Sequence, residues 1–169
     1  MTLHILAAAL FSILGAFQLD PRWRASSLRW HRQAGAVALV SGLVVAATGG
    51  YMTVVYAIPE SLQGPFLRLT RLAVSGGMLV SLLLALRAIV QRRFDAHGAW
   101  MLRAYALGMG AGTQVLVFLP AELLLAGPVQ GLPRDLLMAL AWGVNLAVAE
   151  LLIAGGSMRR RAGPQFDAG

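Results

Sequence analysis

The chain has no cysteine, no lysine and little charge: 12% of its 169 residues are charged, against roughly a quarter in an ordinary soluble domain. Without cysteine there is no disulfide, no thiolate metal site and no thiol nucleophile. With no lysine, all the fixed side-chain positive charge falls to 14 arginines, which outnumber 7 carboxylates and give a net charge of +7. Such a balance suits nucleic acid. Here, however, the arginines sit at the ends of apolar runs and not along one helix face or in an arm, which argues against a nucleic-acid partner and for membrane topology. A Walker loop, a zinc-protease helix and a serine triad are also missing, so soluble-type catalysis has no footing. Gly108, Gly110 and Gly112 imitate a dinucleotide-binding loop, but that loop follows a strand and opens a helix, whereas these glycines lie inside an apolar run.

What is present is hydrophobic, at 58% of residues. Five stretches, Leu3–Leu19, Ala34–Ala57, Phe66–Val90, Gly98–Leu119 and Leu136–Met158, each approach the roughly 20 residues needed to cross a hydrocarbon core. The expectation is an all-α polytopic transmembrane helix bundle of five spans, with residues 1–161 a single membrane domain and 162–169 a disordered tail. Arg22, Arg24, Arg29 and Arg32, then Arg92 and Arg93, then Arg159, Arg160 and Arg161 fall on alternate connections, while Ile58–Pro65 and Pro120–Pro133 carry none. Short cytoplasmic loops collect arginine, so the N-terminus is expected outside and the C-terminus inside. The first stretch has an uncharged start and positive residues only after it, unlike a secretory signal, and is expected to remain as a span. The prolines Pro59, Pro65, Pro120, Pro128 and Pro133 are expected to punctuate the outer connections.

Two histidines open apolar stretches at the same expected face. His31, Gly35, Gly42 and Gly49 lie within about 40° of one another on an ideal helix. His97, Met101, Ala104, Gly108, Gly112 and Val115 form a comparable stripe, within about 80°. Imidazoles at one depth on facing helices could provide both axial ligands of a haem b, with Gly35 and Met101 beside the ring. An imidazole among arginines and tryptophans is also an ordinary headgroup-zone residue, and both readings stay open. Gly42 and Gly108 are eleven residues further along, roughly 16 Å away, beyond such a haem and suited to close helix approach. His4, alone near the outer end of the first stretch, reads as interfacial.

Arg103 and Glu150 stand roughly 9–14 Å inside the basic rim, where charges normally face the bundle interior and pair, so an ion pair between them is expected. Glu150 shares its face with Gly143, Ala147, Ala154 and Ser157. Asn145 and Gln114 are expected to be polar glue or a polar lining.

The segments His31-Arg32-Gln33-Ala34-Gly35, His97 through Leu107, and Trp142-Gly143-Val144-Asn145 followed by Ala149-Glu150 resemble a bacterial family of predicted membrane proteins, domain of unknown function 2306. The resemblance runs from Leu28 to Ile153 and is most specific between His97 and Leu107. It implies a polytopic membrane fold with both histidines, Arg103 and Glu150 in the family pattern, and it implies no reaction. Gly98 and Gln114 depart from that pattern, each standing where arginine is usual. The sequence thus leaves two functional classes: an accessory or assembly subunit packing a membrane-protein partner, or a second copy, through glycine-rich faces; and a haem-binding redox subunit.

Overall fold

In the computed structural model, residues 1–20, 22, 23 and 27–161 are described, with side chains as far as residue 156. Arg24, the side chains of Ser157 and Arg159–Arg161, and the 162–169 tail lie outside the described residues. Six helices cover almost all the rest: α1 Thr2–Leu19, α2 Leu28–Val55, α3 Pro65–Val90, α4 Phe94–Gly108, α5 Gly110–Leu125 and α6 Gly131–Arg161.

Their ends follow local chemistry. Ser27 caps α2 by accepting a hydrogen bond from the Trp30 backbone N–H at 3.2 Å, which starts the helix six residues before the expected Ala34. Pro65 takes the first turn of α3, where no backbone donor is needed. At the other end of α3, Arg92 adopts φ 57° while the Arg93 and Arg92 N–H groups bond the Ala88 and Ile89 carbonyls at 2.8 and 3.0 Å. That pattern is a Schellman motif, with arginine where glycine is usual.

The fourth expected span is corrected by the structure. In place of one helix over Gly98–Leu119, α4 and α5 meet at Met109 with a bend of 43°. Glycines at 108, 110 and 112 lower the cost of departing from helical geometry, which accounts for the position of the bend. Pro120 likewise lies inside α5, and Pro133 belongs to α6 instead of the loop before it. α1, α2, α3 and the Gly131–Gly156 part of α6 are long and apolar enough to cross a bilayer, making four spans, or five if the bent pair crosses as one.

α4 is the central element, in contact with each of the other five helices. The innermost residues are Phe11, Ala46, Met78, Leu82, Ala104 and Leu107. Phe11 shows why small residues recur in the pattern: a Cβ added at Gly42 would lie 2.7 Å from its ring, and one at Gly108 2.6 Å from the opposite edge. The two glycines form a notch across α2 and α4 that receives the ring from α1. Tyr105 extends the same contact, donating its hydroxyl to the Ser12 carbonyl at 3.1 Å while its ring lies over Gly15. Large apolar side chains such as Leu6, Leu124 and Leu151 cover the outside. That arrangement is stable where the solvent is lipid and backbone groups are satisfied within helices.

Candidate functional site

At the basic end, His97 projects from the first turns of α4 toward α3, its Nδ1 2.9 Å from the Ala85 carbonyl oxygen. A carbonyl only accepts, so Nδ1 carries the proton and the neutral ring keeps its lone pair on Nε2. His31 is half-buried near the start of α2. Gly35, one turn along, faces Gln18 of α1, and Met101 packs against the central cluster. Phe17, Trp23 and Trp30 form a set of tilted and edge-on ring contacts at the same end, with centroids 4.8–6.2 Å apart.

Deeper along α4, the structure brings Arg103 and Glu150 together. Arg103 Nε and Nη2 donate to the two carboxylate oxygens at 2.6 and 2.8 Å, a bidentate fork. The guanidinium also lies 4.6 Å from the Trp100 ring centroid. The pair does not face the bundle interior as such charges usually do: the Glu150 side chain is 51% exposed. Gly143, Ala147 and Ala154 are on the same outward side of α6, and a Cβ added at Gly143 would meet nothing within 4 Å.

Asn145 spans the break in the α4–α5 pair. Its amide nitrogen donates to the Ala106 carbonyl at 3.1 Å, and its amide oxygen accepts from the Thr113 hydroxyl at 2.8 Å. In a continuous helix, Ala106 would receive the Gly110 N–H, so Asn145 supplies a donor just where the ladder is interrupted.

Beyond the break, toward the end opposite the arginine clusters, lies a cavity of about 390 Å³ lined by residues of all six helices. Its apolar floor includes Met78 and Leu107, and its polar wall includes His4, Arg71, Ser75 and Gln114. His4 is held there by Thr48 of α2. The Thr48 hydroxyl donates to the Val44 carbonyl at 2.6 Å, so its oxygen accepts from His4 Nδ1 at 2.7 Å and leaves Nε2 as the acceptor in the neutral ring. Gln114 keeps its side chain in a partly buried position, with Nε2 inaccessible to solvent and bonded to no acceptor. Arg71 donates to the Gln63 side-chain oxygen and feels the charges of Arg134 and Asp135. Asp135 is 2% exposed, and its Oδ1 has no hydrogen-bond partner. Sequence reasoning missed this grouping, for which the one available signal was a pair of charges, Arg68 and Arg71, inside the start of an apolar run.

Fold and surface together define a multi-pass helical membrane protein. The chain belongs to the family described as Predicted membrane protein (DUF2306), whose model matches residues 1–153 and so takes in α1 as well as the segment from Leu28. No curated protein and no solved structure matches the chain.

Proposed function

We propose that the protein is a non-catalytic accessory or assembly subunit of a bacterial cytoplasmic-membrane complex, its basic end in the cytoplasm, and that it holds a partner's transmembrane helix on the outward face of α4 and α6. The observation that carries this reading is the position of the Arg103–Glu150 pair. Charge facing acyl chains is costly, and protein packed over it removes that cost while keeping the fork intact. Gly143 and Ala147 beside the pair leave room for close backbone approach. Other glycines are already used inside the protomer: Gly15, Gly42, Gly108 and Gly110 receive Tyr105, Phe11 and Trp142. The docking face is therefore narrower than the glycine content suggests.

A photo-reactive amino acid placed at Ala147, with one at the lipid-facing Leu124 as control, tests the reading in native membranes. Adducts at 147 and not at 124 are expected, a second copy appearing at twice the monomer mass and a different partner at another mass. Equal labelling at both positions, or none at either, overturns it.

A second reading, haem b held between His31 and His97 in a redox subunit, is favoured by one observation. The Ala85 carbonyl anchors Nδ1 of His97 and leaves Nε2 free to ligate, as the other ring nitrogen of metal-bound histidines is usually anchored. The visible spectrum decides it: a Soret band in protein expressed with ample haem, lost in His97→Ala and His31→Ala, supports the reading, and a colourless wild type ends it.

A further inference from the structure

The cavity at the opposite end is independent of the α4–α6 face and has a chemistry of its own. We propose that it binds a single-chain amphiphile with an anionic, acceptor-rich head such as a carboxylate. Its volume, about 390 Å³, falls within the usual range for small-molecule pockets and leaves room for roughly a dozen non-hydrogen atoms at ~30 Å³ each.

The polar groups are graded along its depth. Arg71 stands six residues into α3, about 9 Å from its start, and Met78 about 10 Å deeper. A ligand with its head on Arg71 and its tail against Met78 and Leu107 therefore has the orientation of a lipid in that leaflet. Gln114 approaches from α5 with an amide nitrogen that no protein acceptor satisfies, and the Ser75 hydroxyl has no hydrogen-bond partner among the described residues. Both can donate to an acceptor-rich head, as can the N–H groups of Arg71 beyond the one bonded to Gln63. The charges acting at Arg71 are those of Arg134 and Asp135, which with Arg71 itself leave one positive charge in excess and select against a cationic head. The break at Met109 also places Ala111, in the N-terminal turn of α5, on the cavity wall.

Trp142 lines the cavity and provides the readout. In full-length protein retaining Trp142, with Trp23, Trp30 and Trp100 replaced by phenylalanine, ω-bromoundecanoate is titrated in phosphatidylcholine nanodiscs. The corresponding bromo-alcohol and bromo-alkyl trimethylammonium serve as controls. Saturable quenching by the carboxylate is expected, with affinity about tenfold weaker for either control and about tenfold weaker in Arg71→Met. Gln114→Leu, on another wall, should weaken carboxylate binding several-fold and keeps the proposal open to test if Arg71→Met does not fold. Unsaturable quenching, equal quenching by all three probes, or full affinity in both variants means partition into the bilayer and overturns the proposal. Adding phosphatidylglycerol to the discs separates the sources of anionic head: unchanged carboxylate affinity supports a free single chain, whereas competition assigns the cavity to a bilayer phospholipid and overturns the single-chain occupant.

Discussion

Phe11 is 1% exposed and wedged between Gly42 and Gly108, so its ring and the two missing side chains act as one unit. Gly108→Ala is expected to destabilise the bundle by about 1–3 kcal/mol through overpacking, and a Phe11→Leu background should shrink that penalty. Unfolding in mixed micelles, compared across the four chains of the double-mutant cycle, checks the coupling. The Arg103–Glu150 fork makes the opposite kind of prediction. Removing one partner, as in Glu150→Leu, leaves a charge unpaired in the membrane and should cost about 1–3 kcal/mol. Replacing both by leucine should restore most of it, because lipid accepts leucine without penalty. A double variant no more stable than the worse single variant would show that the pair does not act as a unit. Arg103 and Glu150 were legible in the sequence because isolated charges in apolar runs need partners. The outward direction of their face was not, since it depends on how α6 is rotated against α4. The partner of His4 was hidden for a similar reason: Thr48 is 44 residues away, on a helix face that only the packing of α1 on α2 brings near.

The helices themselves could be read from hydrophobic length, and their boundaries moved by up to six residues. The bend at Met109 could not. Glycines inside an apolar run are compatible with a straight span, a notch for a neighbour or a break, and which of these occurs is decided by tertiary partners. Gly108 serves Phe11, Gly110 lies against Trp142, and Asn145 takes up the Ala106 carbonyl. Asn145→Leu should therefore cost about 0.6–1.7 kcal/mol, from the average to the maximum found for interhelical hydrogen bonds in membranes by double-mutant cycles. It should also raise amide exchange around Met109 more than at Met78, a contrast that hydrogen exchange with mass spectrometry resolves. Equal change at both sites would make Asn145 an ordinary packing residue. At the α3–α4 turn, Arg92 holds a left-handed conformation that costs a non-glycine residue about 1–2 kcal/mol. Arg92→Gly should stabilise the turn by about 1 kcal/mol, measured by the same unfolding assay, even though a positive charge is lost from the loop.

Taken together, the helices present a bundle whose membrane character was plain from composition, while its span count depends on one bent element. The absence of cysteine makes that testable, because single cysteines introduced at Asp95 and Gly127 can be labelled without background. If α4 and α5 cross as a unit, a membrane-impermeant maleimide should reach the two positions from opposite sides, with 95 cytoplasmic. Labelling of both from one side would make the pair re-entrant and leave four spans. The notch that receives Phe11 has a consequence for synthesis. One half of it, Gly42, is made soon after the ring, but the other, Gly108, leaves the ribosome almost a hundred residues later. Until then the leading helix can rest on α2 with half of its seat unbuilt, so the chain's first span is among the last to be locked. Any factor that shepherds this protein during insertion has that interval in which to act.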